Sequence, residues 1–182
     1  MKGINEELSK NTNELFEIYT DTEATNKFFV GFVIENDNEF FLCKAINQYG
    51  NIDGLICCLY DSIIKVQKET TYLKNLLLLH NKNHNDKIEG IKINNNESLL
   101  LQVLKHIKDK NKICTIELCN SNMNDVVGYI SLVDIKASIV KLIIVDENGK
   151  RDGEAIIDIN MISCITTDSL DEQKIQLLTQ IS

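Results

Sequence analysis

One block of residues recurs along this chain at a fixed distance, and that recurrence limits the fold more than any single motif does. Tyr49-Gly50-Asn51-Ile52-Asp53-Gly54 aligns with Asn148-Gly149-Lys150-Arg151-Asp152-Gly153 at an offset of 99 residues (153 − 54 = 99). The same offset pairs Ile63 with Ile162, Val66 with Ile165, Glu69 with Asp168, Leu76 with Ile175 and Leu79 with Leu178. Upstream, Phe29-Val30-Gly31-Phe32-Val33 aligns with Val126-Val127-Gly128-Tyr129-Ile130 at an offset of 97 (128 − 31 = 97), so two residues have been gained or lost at an intervening loop. A co-linear series of this length predicts one structural unit present twice. The expected units are 1–82 and 92–182, joined by a polar linker over 83–91 that continues the run Asn81-Lys82-Asn83-His84-Asn85-Asp86-Lys87.

Each unit reads as mainly β with flanking helices. In the second, Leu99, Leu100, Val103, Leu104 and Ile107 recur at helical spacing, after capping candidates Asn94 to Asn96 and before Lys108, Lys110 and Lys112. Strands are expected over Ile113 to Cys119, Val126 to Asp134, Ser138 to Val145, Glu154 to Ile159 and Ile162 to Thr166, with a polar turn at Asn120 to Asn124. The third of these is apolar on both faces apart from Lys141, which places it centrally in its sheet. Asn148-Gly149 suits a tight hairpin, because that pair tolerates positive φ. Ser169-Leu170-Asp171-Glu172 is a capping box that opens a closing helix to about Thr179. The first unit repeats the plan with strands near Leu15 to Thr20, Phe28 to Glu35, Glu39 to Ile46, Leu55 to Tyr60 and Ile63 to Lys68. Its closing helix runs from Thr71 to His80, and a weak opening helix lies within Asn5 to Asn13. So small a unit cannot cover both faces of a flat five-stranded sheet, so a strongly bent barrel is expected. Gly31 and Gly128, at matching places in a long strand, serve either as bend points or as packing glycines.

Composition narrows the setting. With 27 acidic against 19 basic residues, the formal charge of −8 argues against indiscriminate attraction to phosphate backbones or anionic lipid. Neither unit is a basic module: 1–90 carries 9 basic and 14 acidic residues, 91–182 carries 10 and 13. The N-terminal stretch has no apolar run behind a basic start, and no segment approaches a membrane span, so a cytoplasmic location is expected. The six cysteines, Cys43, Cys57, Cys58, Cys114, Cys119 and Cys164, sit mostly in strand-like segments and read as reduced core residues. The absence of proline, a single arginine (Arg151) and abundant Asn, Ile and Lys suggest an AT-rich bacterial genome.

A helix followed by five strands, with a long second and third strand and a glycine turn before two short ones, resembles the Sm-like family of SH3-like small β-barrels. Lys112-Ile113-Cys114-Thr115-Ile116-Glu117-Leu118 is similar to that family's first strand, and Val127-Gly128-Tyr129-Ile130-Ser131-Leu132-Val133-Asp134 to its glycine-containing second strand ending in aspartate. Other SH3-like barrels fit nearly as well. The resemblance implies two tandem five-stranded barrels and single-stranded RNA contact through Asp-x-x-Met-Asn after the second strand, with Arg-Gly near the last. Asp134 matches the aspartate, whereas Ala137 and Ser138 stand where methionine and asparagine belong, and no Arg-Gly occurs near Ile162. Glu35 to Phe40 keeps none of the pattern. Stacking planes and positive charge, which single-stranded RNA requires, are both scarce.

No phosphate loop, nucleophile elbow or Ser/His/Asp order is present, and no catalytic residue, metal ligand or cofactor is assigned. His80 and His84 have ligand spacing only on a continuous helix; they read as exposed linker residues, and His106 as solvated surface. Asp53 and Asp152 precede glycines at equivalent turns, where aspartate commonly binds backbone amides. The expectation is therefore a non-enzymatic interaction module that binds a protein or peptide, basic by charge complementarity, through barrel edges or loops. An immunity-type inhibitor of a basic toxin is one concrete version. Oligomerisation through strand edges is expected as well, and a diverged Sm-like RNA-binding protein is the alternative.

Overall fold

In a computed structural model the chain divides into two compact units, Met1–Gly90 and Ile91–Ser182. The structure describes residues 2–11, 14–20, 28–83, 91–94, 96–119 and 125–181. Most of the polar linker, His84 and the turn at 120–124 lie outside those residues.

The first unit contains α1 (Lys2–Lys10), β1 (Leu15–Tyr19), β2 (Phe29–Asn36), β3 (Phe40–Ile46), β4 (Ile52–Leu59), a 3-10 turn (Tyr60–Ser62), β5 (Lys65–Gln67) and α2 (Thr71–Lys82). The second contains α3 (Leu99–Asp109), β6 (Ile113–Leu118), β7 (Val126–Asp134), β8 (Ile139–Val145), β9 (Arg151–Asp158), a 3-10 turn (Ile159–Met161), β10 (Ile162–Thr167) and α4 (Leu170–Ile181). All ladders within a unit are antiparallel, with the order β5-β1-β2-β3-β4 in the first and β10-β6-β7-β8-β9 in the second. The two orders are the same when each unit is numbered from its own first strand.

Irregularities repeat as faithfully as strands. Register shifts fall between Val33 and Glu35 and between Ile130 and Leu132, and again between Lys44 and Ile46 and between Ile143 and Val145. Positive φ occurs at the matching pair Glu69 (57°) and Asp168 (64°). The length difference resides in the loop after the second strand, which is longer between β7 and β8 than between β2 and β3.

Connectivity dictates curvature. β4 and β5 sit at opposite ends of a five-strand order, about 19 Å apart if the sheet were flat. The link between them is one 3-10 turn and two further residues, with a reach of about 13 Å. In the second unit the 3-10 turn leads directly into β10. Each sheet must therefore curl until its ends approach. Among the described residues no ladder joins β4 to β5, or β9 to β10, within a unit. The expected closed five-stranded barrel is instead a curled, open five-stranded sheet, because the short last strand already pairs with the first.

Gly31 and Gly128 are packing glycines. A Cβ on Gly31 would lie 2.3 Å from Cys43 Sγ and 2.4 Å from the Lys44 carbonyl oxygen; on Gly128 it would lie 2.2 Å from that of Ile143. The neighbouring strand backbone leaves no room for a side chain at either position.

The closing helices dock in the same way. Thr70 caps α2 by accepting the Leu73 amide, and α2 buries Leu73 and Leu76 against Leu15, Val30 and Ile46. Ser169 and Glu172 form the expected capping box: Ser169 Oγ accepts the Glu172 amide (3.3 Å), and Glu172 Oε2 accepts the Ser169 amide (3.0 Å). The glycine turns abut these helices, since a Cβ on Gly50 or Gly149 would come within 2.6 Å of the backbone nitrogen of His80 or Thr179. Only the glycine of Asn148-Gly149 has positive φ, so the turn is not the expected two-residue form. Pairing also resumes earlier than expected, at Ile52 and Arg151, directly after the turn. α3 begins after Ser98, whose side chain makes no cap, and Gln102 ties the preceding loop by donating to the Asn94 and Glu97 carbonyls.

Gly149 combines φ of +78° with a crowded Cβ position, whereas Gly153 has φ of +112° and open space. Gly149→Ala should therefore cost about 3 kcal/mol, and Gly153→Ala about 1 kcal/mol, in urea unfolding of the full chain.

Candidate interaction surface

The register of the second unit assembles rows of side chains across β7, β8 and β9. Val133, Val140 and Ile157 form a row on the core side, with Val140 fully buried. The opposite face carries Leu132–Lys141–Ile156 and, beside it, Asp134–Ile139–Asp158. Leu132 is 39% exposed and Ile156 66% exposed. Farther along this face, Tyr129 pairs with Ile143, and its hydroxyl lies 2.7 Å from Thr179 Oγ1 of α4. The helix thus approaches one end of the face, while the Leu132–Ile156 end stays open.

The corresponding row in the first unit is Glu35–Leu42–Cys57, and there Leu42 and Cys57 are fully buried. The two units therefore share strand order, bulges and turns, yet differ in whether this face meets solvent. β9 pairs with β8 alone among the described residues and ends its sheet order, so the exposed strip runs onto an edge strand. Its outward residues alternate as carboxylate, isoleucine, carboxylate: Glu154, Ile156 and Asp158. Glu154 also pairs with Arg151 at 2.5 Å, both side chains being largely exposed.

The three residues carried over from the Sm-like resemblance lie together at the end of β7 and in the loop that follows it, but their side chains and backbone support the fold. Asp134 Oδ1 accepts the amides of Lys136 (3.0 Å) and Ala137 (3.1 Å). Asp37 Oδ1 does the same for Glu39 and Phe40 in the first unit, a correspondence that comparison with the RNA motif alone passes over. Ala137 is exposed. Ser138 has φ of +55°, its carbonyl accepts the Ile159 amide, and its hydroxyl accepts from Asn160 Nδ2. These bonds tie the β7–β8 loop to the turn before β10.

Other expected roles move elsewhere. In the glycine turns Asn47 and Asp146 each accept two backbone amides. His80 is a half-buried helix residue, not an exposed linker histidine; it donates from Nδ1 to the Gly50 carbonyl (2.9 Å) and packs on Phe32. His106 is half-buried rather than solvated. Cys43, Cys57, Cys114 and Cys119 are free thiols, as read from the sequence; Cys58 and Cys164 are not among them. Burial pushes the thiols of Cys43, Cys57 and Cys114 well up, away from the reactive thiolate. Among the described residues no group of three His, Cys, Asp or Glu side chains is placed to hold a metal ion, and no helix is long and apolar enough to cross a membrane.

A buried carboxylate stands at the start of each closing helix, supplied from different positions. In the first unit Glu17 of β1 accepts from the hydroxyls of Tyr19 (2.8 Å) and Thr70 (2.5 Å). In the second the matching strand residue is Thr115, and the carboxylate is Glu172 on α4, which accepts from Thr166 and from the Ser169 amide. Burial raises the Glu172 pKa above the usual carboxylate value, and the hydrogen bonds oppose that shift.

No family model, curated protein or solved structure matches this chain. The candidate surface therefore rests on its own geometry.

Two measurements check these assignments. Asp134→Ala should lower stability by about 1 kcal/mol in urea unfolding, because two loop amides lose their acceptor. Because Glu172 binds its proton more tightly folded than unfolded, its contribution should fall as pH rises from the ordinary glutamate value through the raised one. Urea midpoints across about pH 4 to 7 should lose that component of slope in Glu172→Gln.

Proposed function

We propose that this chain is a non-enzymatic cytoplasmic interaction module, built of two Sm-like units, that binds a protein or peptide through β9 and the face beside it. The observation that carries this reading is the Leu132–Lys141–Ile156 row, in which Leu132 and Ile156 are exposed, whereas Leu42 and Cys57, the counterparts of Lys141 and Ile156, are fully buried in the first unit. A large apolar side chain left 66% exposed on a terminal strand, flanked by carboxylates, suits a partner strand with basic residues. The strand order, the paired bulges and the curl imposed by the β4–β5 link support the Sm-like comparison. An immunity-type or regulatory protein facing a basic partner fits this surface, and a second copy of the chain added at a strand edge is the oligomeric version.

The RNA reading has one favouring observation, the meeting of Asp134, Ala137 and Ser138 with the turn before β10. Against it, the half-buried Asp134 and the exposed Asp158 lie in one row, and carboxylates there repel phosphate.

The test is parallel affinity purification of the full chain and its Ile156→Lys variant from the native cell, reading both protein and nucleic acid. A co-purifying protein recovered about tenfold less with the variant is the expected result, as for loss of an interface anchor. Equal recovery with both chains would overturn the assignment of the surface. Tight, salt-sensitive oligonucleotide binding that Ile156→Lys leaves intact would promote the RNA reading instead.

A further inference from the structure

We propose that the segment received by β9 is extended and carries the pattern basic–x–apolar–x–basic, with its apolar residue opposite Ile156; this rests on the β9 reading above. A strand added to the free side of β9 places its own residues directly across from Glu154, Ile156 and Asp158 on the outer face. The intervening residues of the newcomer fall on the other face, beside Ala155 and the buried Ile157.

Charge selects the occupant. Asp158 is exposed at the end of β9, so a cation in the newcomer directly opposite it meets that carboxylate. Among the described residues Glu154 pairs with Arg151, and this exposed pair is weak enough to be exchanged. Lys141 lies on the β8 side of Ile156 and does not occupy the cross-strand position. The same three residues disfavour β9 of a second copy. Antiparallel pairing centred on Ile156 would set Glu154 of one chain against Asp158 of the other, and like charges directly opposite are destabilising. The pattern read from β9 is thus complementary to a basic strand and repulsive to itself.

The experiment is an NMR titration of the full chain with two synthetic threonine-rich peptides of one composition. One contains Lys-Thr-Val-Thr-Lys, and the other has the same residues with the lysines adjacent. The ordered peptide should bind about tenfold more tightly and shift the β9 amides, as expected for two matched charge pairs and one apolar pair. In the Glu154→Lys chain, a peptide with glutamate in place of one lysine should become the tighter ligand. Equal affinity for both wild-type peptides, with β9 amides still shifting, would overturn the alternating pattern while leaving β9 as the docking strand. Failure of Glu154→Lys to change the preferred peptide would overturn the register. If neither peptide perturbs β9, the pattern and the reading beneath it both fall.

Discussion

The fold depends on a short covalent link between strands that are neighbours in sequence and extremes in the sheet. One turn of 3-10 helix carries the chain from the last strand of the order to the first, in each unit. A flat sheet cannot be closed by so short a tether, so curvature is a condition of connectivity rather than a consequence of packing. The remaining devices serve it. Bulges at Val33–Glu35 and Ile130–Leu132 bend the long second strand and increase its twist. Gly31 and Gly128 let the third strand come closer than any side chain would allow. The glycine turn then meets the closing helix at backbone distance, which fixes where that helix can lie.

Duplication makes it possible to separate what the fold needs from what a single unit has acquired. Bulges, turn glycines, the positive-φ pair Glu69 and Asp168 and the capped closing helix occur in both copies and answer to the fold. The buried carboxylate shows that such a requirement is local chemistry rather than residue identity. Glu17 on a strand and Glu172 on a helix satisfy hydroxyl and amide donors at the same junction from opposite sides. The outer face obeys no such symmetry. Leu42 and Cys57 are buried while Lys141 and Ile156 are not, so the pressure on those positions differs between the units.

Much of the architecture was legible because it rests on periodicity and on residues with one dominant local role. The offset of 99 residues, the amphipathic run Leu99 to Ile107 and the Ser169–Glu172 box each encode short-range physics. Early resumption of pairing at Ile52 and Arg151 was not legible, because the following Asp53-Gly54 and Asp152-Gly153 look like a continuation of the turn. Barrel closure was overestimated for a related reason: period-two alternation reports which face is buried and is silent on which strand ends meet. The exposed row escaped notice since Leu132, Lys141 and Ile156 are far apart in sequence and become neighbours only through register. Adjacent Ile156 and Ile157 gave no sign of which one faced the core.

A residue can coincide with part of the Sm-like pattern for reasons that lie in the loop alone. An aspartate after the second strand is valuable to a tight β–β loop because it can accept two amides at once, and Asp37 and Asp134 are both used that way. That demand exists in any curled sheet with such a loop, whether or not nucleic acid ever visits. A carboxylate retained for the loop then sets the electrostatic character of the neighbouring surface. Asp134 shares a row with Asp158, itself engaged in capping the turn before β10 through the Asn160 amide. The carboxylate at the end of β9 is thus kept for local structure, two residues along the strand from the exposed Ile156. In the proposed reading, preference for a basic strand is a by-product of how the turn before β10 is held.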